Sequence, residues 1–335
     1  MSAAMYIESA SAVSPAHTPG AALPDSFPVS DTHRLRCIEP DYKEFIDPRL
    51  IRRMSRVVKM GTAAAIACLR EAGVTMPDAI LTGTAYGCTE DTEVFLQKLI
   101  VQQEEMLTPT AFIQSTHNTI GAQIALLLQC HAYNNTYVHR ALSFEHALLD
   151  AGLLLEEGAA ETALVGGVDE MPDTIFQILQ RFGLYREAAA GEGAAFFLLR
   201  NTQTPASICR LDAVQTWYKP ADMAAATRAF LAAQQLAPAD VDLLLLGKNG
   251  DTRHDRAYND WTNQLFPHTD AAAFKPVFGE FPVASAVGTW LATQVFGQGR
   301  LPAPLGPEGA LKPQNILIYN HFYDIHHSLI LLSAC

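Results

Sequence analysis

Ser143 and His146 stand three residues apart in SFEHALLDAG, a spacing that puts both side chains on one face of a helix. A serine hydroxyl beside an imidazole is the beginning of a hydrolase nucleophile–base pair. The glycines of a GxSxG elbow are missing around it, so the plain reading is a helix start whose serine bonds the backbone. Cys88, in GTAYGCTED, lies between a glycine turn and a helix start, where a thiol can lose its proton readily. No basic residue is near it in sequence, which favours a small buried cysteine. His321, His326 and His327, in NHFYDIHHSL, are metal-ligand types, with Asp324 the one carboxylate beside them. Neighbouring side chains on a strand point to opposite faces, so His326 and His327 do not chelate together, and no metal site is expected. VGGVDE and GEGAA fit neither GxGxxG nor GxxxxGKS/T, so no nucleotide site is read and no cofactor is expected.

The stretch TYVHRALSFEHALLDAG, residues 136–152, has the outline of an enzyme elbow. A β-branched and aromatic run, Thr136 to Val138, meets the polar bend His139–Arg140, and a helix follows through Leu155. Many α/β enzymes expose a nucleophile where a strand stops at a helix start. The residue at this bend is Ala141, which has no reactive atom.

The elements around these residues alternate strand and helix twice. MYIESASAV (5–13) reads as a strand, 14–48 as a long surface connection, and DPRLIRRMSRVVKMGTAAAIACLREAG (47–73) as one helix with Asp47 as cap and Gly73 as stop. DAILTGTAYG is a buried strand. Residues 89–103 form a helix with Thr89 as its cap, and 108–118 a loop entering the helix TIGAQIALLLQC. ETALVGGVDEM and GEGAAFFLLR are strands. After residues 201–205 the pattern restarts with SICRLDAVQTW and closes on QNILIYNHFYDIHHSLILL. The order predicts an α/β protein of mostly parallel sheets covered by helices, in two similar halves, 1–200 and 201–335.

Composition agrees. Apolar residues make up 49% and charged residues 17% of the 335, enough for a large core with little room for disorder. A net charge of −12 repels phosphate backbones and acidic membrane surfaces, so nucleic acid and membrane are not expected partners. Six scattered cysteines without a CxxC pair, and an N-terminal stretch lacking a basic-then-apolar signal pattern, fit a cytoplasmic protein.

Taken in order, the motifs resemble those of the β-ketoacyl synthases, the thiolase-fold condensing enzymes of fatty-acid and polyketide assembly. MYIESASAVSP is similar to their first strand, RRMSRVVKMGTAAAIACLREAG to their first long helix, and ILTGTAYGCTED to their second strand and glycine loop. AFIQSTHNTIGAQIAL resembles the loop that reaches across the dimer, ALVGGVDEM their AGGAE segment, and GEGAAFFLLR their GEGAG strand. The resemblance implies a layered αβαβα arrangement of mixed, mostly parallel sheets. The family's chemistry uses a cysteine at the elbow and two histidines that support decarboxylation and stabilise the enolate.

On that resemblance Ala141 takes the cysteine's place. Where the family has HGTGT this chain has LGKNGDTRHD, putting Gly247 or Lys248 at the first histidine, and KPVFGEF keeps Lys275 but puts Glu280 at the second. His254 and His117 lie nearby in sequence without falling on a catalytic position. This pattern resembles the chain-length factors, synthase-like subunits that pair with an active synthase and shape its acyl tunnel. The likeness is greatest to the short members of bacterial aryl polyene and flexirubin pigment pathways.

The resemblance implies a heterodimer with a ketosynthase, in which the strand 134–139, with Asn135, Tyr137 and His139, pairs across a two-fold axis. A lone strand edge there is aggregation-prone. Phe112, Ile113 and Gln114 would sit at the partner's tunnel. Acyl carrier protein is the expected second partner, and Arg52, Arg53, Arg56 and Lys59 are the densest basic cluster to meet its acidic surface. The alternatives are a transferase or decarboxylase using Lys275, Glu280 or Ser143, and a homodimer that holds an acyl chain or its carrier protein.

Overall fold

The structure is a computed structural model that describes residues 5–28, 32–306 and 309–335. Ten strands form one mixed sheet: β1 (Met5–Val13), β2 (Ala79–Gly83), β3 (Tyr133–Tyr137), β4 (Thr162–Asp169), β5 (Gly193–Arg200), β6 (Cys209–Tyr218), β7 (Leu243–Leu246), β8 (Asp270–Ala273), β9 (Asn315–Phe322) and β10 (His326–Ser333). Their order is β3-β2-β4-β5-β1-β6-β10-β9-β7-β8. The first five strands, read outward from the centre, run 1-5-4-2-3, and the last five repeat that sequence. The two runs meet only where Met5, Tyr6 and Ile7 pair antiparallel with Leu211, Arg210 and Cys209.

The sheet is mixed as expected, but its parallel share is smaller. β2 pairs parallel with β3 and β4, and β7 with β8 and β9; the inner pairings are all antiparallel. The helix between β4 and β5 is short, and β9 turns directly into β10, so these strands return without a crossover helix.

Strand alternation builds the layers. Leu81, Val165, Phe197 and Leu199 face an inner cluster with Phe144 and Ala147 of α6 (Ser143–Glu156) and Val287 and Leu291 of α11 (Ala284–Gln298). Leu245, Ile318 and Ile330 of the other run face the same cluster. The intervening residues turn outward. Ile80, Leu164, Phe196 and Leu198 pack on Val57, Met60 and Ala64 of α2 (Arg56–Glu71) and on Ile120 and Ile124 of α5 (Thr119–Leu128). Leu244, Leu246, Leu317 and Leu331 pack on Phe230 of α8 (Met223–Ala233) and on Tyr258 and Trp261 of α9 (Thr252–Leu265). The strands are therefore buried on both faces, which is why their sequences read as unbroken apolar runs. Truncating a fully buried ring such as Phe144 to alanine costs about 3–5 kcal/mol.

The remaining helices are α1 (Pro48–Ile51), α3 (Thr89–Val101), α4 (Pro109–Gln114), α7 (Asp173–Arg181) and α10 (Lys275–Phe278). Several sequence expectations change here. The 47–73 helix is two: Asp47 caps α1 through the Arg49 N–H, and Ser55, in extended backbone, starts α2 so that Arg56 turns inward. Residues 108–118 are not all loop, since Pro109 initiates α4. Cys88, not Thr89, is the cap residue of α3. The 14–48 connection is more than surface, because Ala16, Leu23, Phe27, Leu35, Cys37 and Ile46 are buried; its residues 29–31 lie outside the described residues. Among the described residues no helix is long and apolar enough to cross a membrane.

Candidate functional site

β3 ends at Tyr137, and the chain bends through a 3-10 turn, Arg140–Leu142, into α6. Arg140 has φ +51°, a left-handed conformation that is uncommon for a residue with a Cβ and recurs at functional bends. Ser143 holds the bend. Its hydroxyl accepts from the His139 N–H at 2.8 Å and donates to the Arg140 carbonyl at 2.7 Å. The serine is fully buried and committed to the backbone, as the plain reading expected. His146 reaches back to His139 instead, with the two Nδ1 atoms 3.0 Å apart. Partial burial and the neighbouring His139 lower its pKa. Ala141, at the turn, is 1% exposed and presents a methyl group.

Gly247 follows β7 and has no room for a side chain. A Cβ there would fall on the Asn320 amide oxygen and lie 2.6 Å from the Tyr258 hydroxyl. That hydroxyl accepts nothing from Gly247 but takes the His321 N–H at 2.7 Å, and its ring stacks on His321. Lys248 points away, donating to the Asn259 side chain at 2.7 Å.

Lys275 and Glu280 form a buried ion pair, Nζ to Oε2 2.9 Å, with side chains 0% and 3% exposed. Lys275 also donates to the His321 carbonyl at 3.2 Å, and Asn249 donates to Glu280 at 2.7 Å. Burial pushes the Glu280 carboxyl up, and Lys275 opposes it. The loop carrying the pair is clamped to the GEG strand entry. Gly191 donates to the Glu280 carbonyl and the Glu280 N–H to Ala189, and Gly279 (φ +82°) lies so close to Gly191 that a Cβ on either would strike the other's backbone.

Sequence reasoning missed Glu145, on α6 one turn past Ala141. It is fully buried, accepts from the Ser328 hydroxyl at 2.7 Å, and has its second oxygen unpartnered. Burial raises its pKa, while the Ser328 hydrogen bond, the nearby Ser285 hydroxyl and the Lys275 charge pull it down. A carboxylate three residues before Leu148 on the apolar face of SFEHALL was the available signal. Through Glu145 the helix that follows Ala141 is linked electrostatically to Lys275 of the buried pair. The bend presents the Ala141 methyl group, and the buried Lys275 is paired with a carboxylate.

The tail histidines divide between faces as strand geometry requires. His327 bonds the Tyr319 hydroxyl at 2.9 Å beside His321, whereas His326 lies by His139 and Tyr218. Cys88 is buried, and desolvation pushes its thiol up to about 12.

β3 is an edge strand with no neighbour on its outer side among the described residues. Asn135 and Tyr137 lie on it, half-buried, and His139 follows it, exposed. Leu126 of α5 and Leu149 and Leu153 of α6, the helices packed against β3, are exposed together with Tyr133 and Val138. Phe112 and Ile113 on α4 are 58% and 62% exposed, and Phe112 leans on Phe95 of α3. Gln114 instead turns inward to the Arg53 carbonyl at 2.7 Å.

The basic cluster does not act as one. Arg56 is spent internally, pairing with Glu39 and the buried Glu192 at 2.6 Å each and approaching Glu170 at 3.8 Å. Lys59 lies over the Tyr42 ring. Only Arg52 and Arg53 are well exposed.

No curated protein sequence matches the chain. Among solved structures it is similar to the ishigamide ketosynthase/chain length factor, with TM-score 0.80 and 15% identity over 100% of both chains. It is similar to a type II PKS ketosynthase bound to a hexaketide, in complex with its acyl-carrier protein (AntDE:AntF), with TM-score 0.77 and 15% identity over 100% of both chains. It is also similar to the complex of the ketosynthase ApeO with its chain length factor ApeC from Xenorhabdus doucetiae, with TM-score 0.73 and 14% identity, covering 99% of this chain and 98% of that one. At these identities the likeness establishes the fold, the thiolase-like fold of ketosynthases. The model of the β-ketoacyl synthase N-terminal domain matches residues 35–268, more than half of the sequence, and the chain belongs to the β-ketoacyl synthase family.

Proposed function

We propose that this protein is a chain-length factor that pairs with an active ketosynthase and shapes the tunnel in which the partner's acyl chain grows. The observation that carries the reading is Ala141: a bend with a left-handed residue, a serine-pinned backbone and a helix start, but only a methyl group where a nucleophile would stand. The two other positions support it. Gly247 is walled in by Asn320 and Tyr258, and Glu280 is tied to Lys275. A transferase or decarboxylase relying on Lys275 and Glu280 would need one of them free, and each neutralises the other.

The unpaired β3 edge, flanked by exposed Leu126, Leu149 and Leu153, is the surface we assign to the ketosynthase. Phe112 and Ile113 are the side chains we place at the partner's tunnel. Acyl carrier protein is the proposed second partner, met by Arg52 and Arg53 with Lys59 beside them. The solved relatives include a ketosynthase with its carrier protein and ketosynthases with chain length factors. We assign the complex to the cytoplasm and its products to the aryl polyene or flexirubin class. The division into halves at residues 200 and 201 is part of this reading; the family match runs across it. Co-expression with a cysteine-bearing ketosynthase should give a 1:1 complex that survives size exclusion. Recovery of this chain only as a homodimer, with the ketosynthase unbound, would overturn the proposal.

A further inference from the structure

Histidines from three elements gather where β3 runs out: His139 at the elbow, His146 on α6 and His326 on β10. His139 is exposed, His146 half-buried and His326 buried. The His139 and His146 ring centroids are 4.5 Å apart and their Nδ1 atoms 3.0 Å apart. The His326 ring lies 6.2 Å from His139 and 5.6 Å from Tyr218, and its Nδ1 is buried without a hydrogen-bond partner.

A contact between two Nδ1 atoms has room for one hydrogen. In the neutral pair one nitrogen donates and the other accepts. A first added proton can enter at the far Nε2 of the donor ring and leave that bond intact. A second must enter at the accepting Nδ1, and two N–H groups and two like charges then face each other.

The surroundings do not offset that charge. Burial, and after it His139, lowers the His146 pKa below the ordinary 6.5. Burial, then His139, Arg140 and His327, lowers that of His326. Lys219, just past β6, adds a further cation over the Tyr218 ring. The carboxylates of the packed elements are engaged elsewhere. Asp150, one turn beyond His146, accepts from the Tyr133 hydroxyl at 2.9 Å, and Asp212 of β6 pairs with Arg210 at 2.6 Å. Asp324 faces His327 at 3.5 Å, and Glu145 points inward to Ser328. Tyr137, edge-on to His146, is a neutral phenol whose pKa burial raises further.

His146, Leu149 and Leu153 follow the i, i+3, i+7 spacing of one helix face. The cluster therefore stands at one end of the exposed apolar strip beside β3. We propose that it makes the β3 edge a pH-sensitive interface, which holds the ketosynthase at neutral pH and releases it when the histidines take up protons in mild acid. This inference rests on the assignment of that edge to the ketosynthase. Covering the strip with a partner removes water from the imidazoles and disfavours their charged forms, so the acid form must shed protons to bind.

Surface plasmon resonance of this chain with an active ketosynthase at pH 7.5 and 5.5 tests it. The expected Kd is weaker at pH 5.5 by about tenfold. The double variant His139→Gln/His146→Gln should lose most of that ratio, because glutamine amides hydrogen-bond without titrating. A parent Kd independent of pH, or the same ratio in the double variant, would overturn the proposal. Those results differ from the absence of any complex at pH 7.5, which overturns the ketosynthase pairing itself. In the chain alone, imidazole nitrogen NMR should show His139 and His146 taking up protons in two separated steps, and His139 in a single step in His146→Gln. Independent titration of the two rings in the parent would also overturn the proposal.

Discussion

The Lys275–Glu280 pair makes a sharp quantitative claim. With both side chains almost wholly buried and 2.9 Å apart, removing one partner strands the other charge where water cannot reach it. Such losses cost about 3–5 kcal/mol, whereas replacing both partners with neutral groups of similar shape is close to neutral. Lys275→Met should therefore destabilise strongly, leaving Glu280 with only the Asn249 amide. Glu280→Gln should also destabilise, leaving the ammonium with the His321 carbonyl. The double variant should be close to neutral, so that the two single costs, about 3–5 kcal/mol each, largely cancel in it instead of adding. The pH dependence gives a second signature. Burial already raises the Glu280 pKa, and loss of Lys275 raises it further, so the carboxyl can take up a proton to escape the penalty. The Lys275→Met cost is thus larger at pH 8 than at pH 5. Urea midpoints followed by circular dichroism at both pH values measure all four corners of the cycle. Single costs that simply add in the double variant, or a Lys275→Met cost independent of pH, would refute this account of the pair.

Other expectations follow from the same geometry. Ala141→Cys should fold, because a thiol is a small addition to a turn, yet show no condensation of malonyl carrier protein, since Gly247 and Glu280 supply no imidazole. In a reconstituted complex, Phe112→Ala should lengthen the partner's products by removing an exposed ring from the tunnel end; unchanged product length would take Phe112 out of the account. Glu170 is buried with an unpartnered oxygen, and desolvation, aided by Glu90 and opposed by Arg56, pushes its carboxyl from an ordinary 4.5 to about 8. A raised folded-state value means that the native state holds the proton longer, so its contribution to stability is full below pH 4.5 and is lost as pH rises through 8. Glu170→Gln should then match the parent near pH 5 and exceed it at pH 9 by a few kcal/mol, at about 1.4 kcal/mol per pH unit. Equal stability curves in thermal melts across that range would count against the assignment.

Local pattern carried much of this molecule. Strands buried on both faces announce themselves as runs such as DAILTG and DLLLLG, and the elbow shows as TYVH running into ALSFEHALL. What local pattern misses is set by distant partners. Arg56 looks like one more surface cation in RRMSR until Glu192, 136 positions later, draws it inward. Phe27 and Leu35 look like loop residues until the core closes over them. Ser328 explains Glu145 from 183 positions away. Strand–helix alternation overstates the parallel share of the sheet for a related reason. Such alternation implies crossovers, but β9 and β10 are joined by a tight turn and α7 packs outside the core. The family resemblance implies a histidine at Gly247 or Lys248, yet only the packing of Asn320 and Tyr258 shows how little space Gly247 leaves for a side chain.

Turnover of malonyl carrier protein is the most direct test of the central claim. Carbon dioxide release should be measured for the purified protein alone, for an active ketosynthase alone, and for their complex. The account predicts none above background for this chain alone, and products in the complex whose length changes with substitutions at Phe112 or Ile113. Decarboxylation or condensation by this chain in the absence of a ketosynthase would contradict it.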